Sequence, residues 1–157
     1  MDASDWAAAL QASALGHWLR TDAWAYPIAN VLHVLGLTAL VGPIVLLDLR
    51  LLGFGRIAFP LAATVRVLTA SAAAGLLVML ASGTALFAAD AVALIGSPVM
   101  QAKLLLIGAA LANAVAFRWR WSSRVDGALS RAGRAQALGS IALWLAIPVA
   151  GRLIAYL

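Results

Sequence analysis

Four long stretches of the chain are apolar at almost every position, and short breaks rich in Gly, Pro or Arg separate them. A helix needs about 20 apolar residues to cross the hydrocarbon core of a bilayer, so each stretch predicts one crossing. The first covers 26–47, with Trp24 and Tyr26 as aromatic anchors at its start, Asp48 and Arg50 closing it, and a bend expected at Pro43. After Gly53, Gly55 and Pro60 the second covers 65–89, where the small residues Ser71, Gly75 and Gly83 admit a close neighbouring helix. The third, 99–117, follows Gly96, Ser97 and Pro98 and ends at Trp119 and Trp121, set among Arg118, Arg120 and Arg124. The fourth covers 137–156. Ahead of them all, residues 5–20 put Trp6 and Leu10 on one helical face and Leu15, Trp18 and Leu19 on another. That pattern predicts a short helix lying in the membrane interface, with an interruption near Gly16.

Composition agrees with this reading. Of the 157 residues, 64% are hydrophobic and only 11% charged, with a mean hydropathy of +0.98, whereas soluble domains carry roughly a quarter charged residues. The expectation is an all-α fold, an integral membrane four-helix bundle forming one domain over 1–157, with no separate soluble unit. The first six residues carry Asp2 and Asp5 and no basic residue, the wrong charge for the start of a cleavable signal peptide, so this segment is expected to be retained.

Charge sets the expected orientation. The connection between the first two spans holds Arg50, Arg56 and Arg66 against Asp48, and that between the last two holds Arg118, Arg120, Arg124, Arg131 and Arg134 against Asp126. The N-terminal segment is acidic on balance, and the connection around Asp90 has no Lys or Arg. The positive-inside rule then puts both termini outside, which in a bacterial inner membrane is the periplasmic side. The pI near 11 follows from arginines beside spans, not from a basic domain that could dock on a duplex, so no nucleic-acid partner is expected.

The absence of cysteine excludes disulfides, thiolate metal sites, cysteine-held iron–sulfur clusters and covalent c-type haem attachment. Glutamate is absent too, and no acid lies in the middle of an expected span, so a proton-coupled transporter lacks its usual relay. No nucleophile motif, GxGxxG, Walker loop or HExxH occurs.

Against this background two ionisable residues inside apolar stretches stand out, His33 and Lys103, because such groups are costly in hydrocarbon. If the first and third spans both start from the outer face, the two lie within about one helical turn in depth. Arg152 and His17 belong to the same layer, with Asn30 and Gln101 nearby. Imidazole can ligate haem iron, and Lys103 and Arg152 can pair with propionates, so the set suits a porphyrin or another flat anionic ligand. The same residues have plainer roles: His33 as an interhelical hydrogen-bonding residue, Lys103 snorkelling to headgroups, His17 and Arg152 as interface residues. Asp48, Arg50 and Arg66 form either an ion-pair latch near the inner face or a solvated rim. Asn113 is expected to hydrogen-bond to a neighbouring helix, and Trp144, inside the last span, packs on a ring or on lipid.

The run Asn30-Val-Leu-His33-Val-Leu-Gly36, leading to Leu47-Asp48-Leu-Arg50, resembles the first-span pattern of small bacterial membrane proteins of the broad CopD-like and HemJ-like grouping. Ser82-Gly83-Thr84 through Pro98-Val-Met-Gln-Ala-Lys103 resembles the later pattern there, a glycine near the end of one span and a lysine opening the next. In HemJ-type protoporphyrinogen oxidases the corresponding His and Lys are associated with haem binding and activity, and the resemblance implies such roles for His33 and Lys103. This chain departs from the pattern where a second histidine is expected, having Asn113 and Phe117 instead.

Two readings stay open. The first is a bundle holding haem b near the periplasmic face, with His33 and His17 as candidate metal ligands and Lys103 and Arg152 as further cofactor-binding residues. It would exchange electrons with a quinone or a periplasmic redox partner, and any enzymatic activity would be that of a haem-dependent membrane oxidoreductase. The second is a non-catalytic subunit that docks or stabilises a larger membrane complex or homo-oligomer; a small porphyrin, copper or lipid carrier is a further alternative.

Overall fold

The computed structural model describes residues 2–55, 60–121 and 129–154. Arg56, Arg124, Asp126 and the last residues of the fourth expected span lie outside them. The described residues form helices only: α1 (Ala3–Gln11), α2 (Ala14–Thr21), α3 (Ala25–Leu52), α4 (Leu61–Ala89), α5 (Ala91–Ile95), α6 (Pro98–Trp121) and α7 (Arg131–Leu153). Four of these, α3, α4, α6 and α7, are long and apolar enough to cross a bilayer. Their large exposed side chains, such as Val67, Leu77 and Leu105, are apolar surface that lipid can cover. The protein is an all-α, multi-pass membrane bundle.

The spans agree with the hydrophobic stretches, and the helices outrun them at several ends. Helix α3 continues beyond residue 47 to Leu52, where Gly53 takes a left-handed conformation (φ 116°) and its N–H meets the carbonyl of Arg50. Such a terminus favours glycine, which has no Cβ to clash. Helix α7 starts at Arg131, earlier than the apolar stretch, because the Ser130 hydroxyl accepts from Gly133 N–H at 3.2 Å and caps it.

Helix α3 packs on α4 and α7, and α7 packs on α6, while the backbones of α4 and α6 stay apart. The row α4, α3, α7, α6 is therefore left open between its two ends. The closest approach is where α3 crosses α4. A Cβ on Gly75 would stand 2.5 Å from the Leu40 amide nitrogen and 2.9 Å from the Gly36 carbonyl oxygen, and Ser71 Oγ donates to Ala39 O at 3.3 Å. Between α6 and α7, Asn113 and Gln136 exchange side-chain-to-backbone hydrogen bonds, Nδ2 to Gln136 O at 3.4 Å and Nε2 to Asn113 O at 3.3 Å. Leu40, Ala110, Trp144 and Ile147 form the buried core that joins α3, α6 and α7.

The N-terminal segment is two helices rather than one. The break falls at Ala12 and Ser13, where the Ser13 hydroxyl caps α2 by accepting from Gly16 N–H. Gly16 does not interrupt a helix. It is the point where α2 meets the end of α4, a Cβ there standing 2.8 Å from Ala88 O. Leu19 is buried with Ala25, Ala29 and Ala89, Arg20 donates to Ala89 O at 3.2 Å, Gln11 accepts from Val92 N–H, and Trp6 packs near Phe87. Helices α1, α2 and α5 thus make a cap over one end of α3 and α4.

The α3–α4 crossing leaves no room for a methyl group. Gly75→Ala is expected to destabilise the bundle by about 1–3 kcal/mol. Gly108→Ala on α6, where a Cβ meets nothing within 4 Å, should change stability by less than about 0.5 kcal/mol. Unfolding of both variants in mixed micelles checks this pair.

Candidate functional site

His33 lies on α3 three residues before Gly36, so the tight crossing brings its ring against α4. Its Nδ1 is 3.0 Å from Ser82 Oγ, and its Cε1 would be 3.2 Å from a Cβ on Gly83. The Ser82 hydroxyl has a single proton, and it donates that proton to Val78 O at 2.6 Å in its own helix. Toward His33 it offers only lone pairs, so Nδ1–H is the donor. In the uncharged ring the lone pair is then on Nε2, which meets no hydrogen-bonding group among the described residues.

Lys103 comes from the first turns of α6, and its stem and ammonium pack against Gly151 of α7, where a Cβ would stand 3.3 Å from Nζ. The bare α-carbon of Gly151 makes room for the chain to lie along α7. The ammonium is close enough to His33 for its charge to act on the imidazole. Among the described residues it has no hydrogen-bond or ion-pair partner. Four spans therefore hold the half-buried His33 and Lys103 at the end of the bundle that carries the α1–α2–α5 cap.

The other residues singled out from the sequence are more peripheral. Arg152 is exposed beside Gly151 on the last turn of α7. His17 is exposed on α2, where its carbonyl accepts from the Thr21 hydroxyl, and among the described residues nothing joins its ring to His33. Asn30 is exposed, and Gln101 is exposed and donates to Ile95 O at 3.1 Å. No three His, Cys, Asp or Glu side chains converge anywhere among the described residues.

A second polar group lies toward the opposite end. Because α3 runs on to Leu52, Asp48 sits within the helix and faces the bundle, only 7% exposed, in place of the expected solvated rim or arginine latch. Arg66 is exposed. Ser140 on α7 lies beside the Asp48 carboxyl, whose Oδ2 is buried without a hydrogen-bond partner among the described residues. One turn along α7 from Ser140, the indole Nε1–H of Trp144 is likewise buried and without a partner among the described residues. Both side chains border a cavity of about 550 Å³ enclosed by α3, α4, α6 and α7. Ile44, Leu68, Ala72 and Leu111 are among its mostly apolar walls, and Arg118 stands at its edge. The signal in the sequence was spacing: Leu40, Ile44 and Asp48 recur every four residues on one face, as do Ser140 and Trp144.

No family model matches the chain, and neither does any curated protein or solved structure. Function is therefore read from the side chains themselves.

Ser82→Ala removes the acceptor that orients His33. In histidine-labelled protein, nitrogen NMR should show the uncharged His33 ring with its proton on Nδ1, and the variant should give a mixture of tautomers. An unchanged tautomer in Ser82→Ala would mean that Ser82 does not set it.

Proposed function

We propose that this protein is a bacterial inner-membrane bundle that binds b-type haem between its spans, near the periplasmic face, and serves electron transfer. The observation that carries this reading is the state of His33, a histidine tied by its Nδ1–H to Ser82 and presenting Nε2 as an open lone pair. Metal-ligating histidines commonly donate their other ring N–H in this way, which fixes the tautomer and makes the ligating nitrogen more basic. The donor set fits haem better than a bare metal ion. A macrocycle brings four nitrogens of its own and asks the protein for one or two, whereas no cluster of three ligating side chains exists among the described residues.

In this reading His33 Nε2 would hold the haem iron. Lys103, half-buried and without a partner among the described residues, would neutralise a propionate in a setting where a charge-assisted hydrogen bond is strong. Arg152, exposed on the neighbouring turn of α7, adds positive potential at the same level, and His17 remains a peripheral candidate on the cap. When bound, haem supplies a one-electron iron couple, and a quinone or a periplasmic redox protein is the proposed partner. The chain contributes position: Ser82 holds the ring, Gly83 lets it lie against α4, and Gly151 lets Lys103 reach inward.

The test is an oxidised-minus-reduced absorption spectrum of the detergent-solubilised protein with a pyridine haemochrome assay. Near-stoichiometric b-type haem is expected. His33→Ala should lose it, and Lys103→Ala should retain it with about tenfold or more weaker binding, the scale of one charged hydrogen bond. Colourless protein from haem-replete cells would overturn the reading and favour the non-catalytic subunit.

A further inference from the structure

The cavity at the Asp48 end has no part in the haem reading, and its chemistry differs from that of the His33 end. Its walls are mostly apolar, and the backbones of the two elements that flank it, α4 and α6, stay apart. That gap lies along the side of the bundle, where a bilayer would lay acyl chains. A molecule reaching the cavity through it is one that already partitions into the membrane.

Two buried polar groups in the wall decide what head such a molecule carries. Trp144 is 3% exposed and can only donate through Nε1–H; Asp48 is 7% exposed, with Ser140 beside its carboxyl and Oδ2 without a partner among the described residues. Leaving both unpaired in an apolar setting is unfavourable. Both atoms are closed off as the side chains stand, so a head group engages them only when the Asp48 carboxyl and the Trp144 indole turn toward the cavity that their residues line. An ammonium head would suit Asp48, but it offers Trp144 nothing to donate to, and Arg118 at the cavity edge opposes it. A carboxylate head would accept from Trp144 but would face the Asp48 carboxyl. A hydroxyl does both, accepting from the indole and donating to the carboxylate oxygen, so one group serves both partners.

We infer that the lateral cavity lined by Asp48, Ser140 and Trp144 binds a hydroxyl-headed, membrane-borne apolar molecule, with the hydroxyl between the Asp48 carboxyl and the Trp144 indole and the apolar body along Ile44, Ala72 and Leu111. A volume of about 550 Å³ holds a head and part of a chain, within the ordinary range of small-molecule sites, and the rest of the molecule extends through the gap between α4 and α6. The same chemistry is offered by a long-chain or glyceride alcohol and by a quinol.

The test is photolabelling of the full-length chain in phosphatidylcholine nanodiscs with a hexadecanol that carries a mid-chain diazirine, and with the matching hexadecane, hexadecylamine and palmitate. The alcohol is expected to label cavity-lining peptides of α3, α4 and α6 at least fivefold more than the hydrocarbon, and unlabelled hexadecanol should suppress that labelling. Unlabelled diacylglycerol and a short-chain quinol, added separately as competitors, distinguish the two sources. Trp144→Phe, which keeps an aromatic ring and loses the donor, should weaken competition by about three- to tenfold. Asp48→Asn keeps an acceptor and should change it by less than about threefold. Equal labelling by hydrocarbon and alcohol, or stronger labelling by the amine or the carboxylate, would overturn the proposal, and these comparisons need only the wild-type protein.

Discussion

The rest of the molecule depends on the backbone-to-backbone contact of α3 with α4 at Gly36, Leu40 and Gly75. Lipid tails are as apolar as leucine, so spans gain little from hiding apolar surface against one another. They associate through close packing and interhelical hydrogen bonds. Gly75 permits the closest packing in the structure, and Ser71 adds a hydrogen bond to the Ala39 carbonyl one turn away. Once that crossing is fixed, so are the depths on both sides of it. His33, just before Gly36, meets Ser82 and Gly83, two turns beyond Gly75 on the antiparallel neighbour. In the other direction α3 carries Leu40 into the Trp144 core and, two turns later, Asp48 to Ser140.

Helix α7 plays the complementary part. It packs on both α3 and α6, and it holds α6 by the reciprocal Asn113 and Gln136 hydrogen bonds. One face of α7 therefore supplies the surface for Lys103 at Gly151 and the donors Ser140 and Trp144 toward the other end. The two polar regions differ in what holds them. The His33 region gathers groups from four spans at the capped end, whereas the Asp48 region sits beside a gap that no helix among the described residues fills. A single row of four helices with one open side accounts for both.

Much of this was legible in the sequence, and what was not has a physical explanation. Hydropathy marks the spans because crossing hydrocarbon demands length and apolar character, and His33 and Lys103 stand out because they violate that demand. Hydropathy does not mark which face of an apolar helix meets protein and which meets lipid, so Ser82 looked like one small residue among many and Asp48 looked like the end of its span. The helix actually ends at Gly53, and the added turns convert Asp48 from a rim residue into a buried one. The break between α1 and α2 was misplaced for a related reason. Gly16 reads as a helix breaker, yet its role is to let α2 touch the Ala88 carbonyl, while Ser13, an ordinary capping residue, makes the turn.

The cap has a consequence for how the protein is made. Helices α1 and α2 leave the ribosome before α3 and α4, but the groups that hold them belong to the far end of α4 and to α5: Arg20 on Ala89, Gln11 on Val92, Trp6 beside Phe87. Chains fold largely in the order in which they emerge, and here α1 and α2 must wait for partners some 70 to 80 residues downstream. Until α4 is in place, α1 and α2 have an apolar face and nothing in the protein to cover it. The membrane surface is the waiting room that such helices suit, so closure of the cap records that the first two spans have been inserted and have found each other.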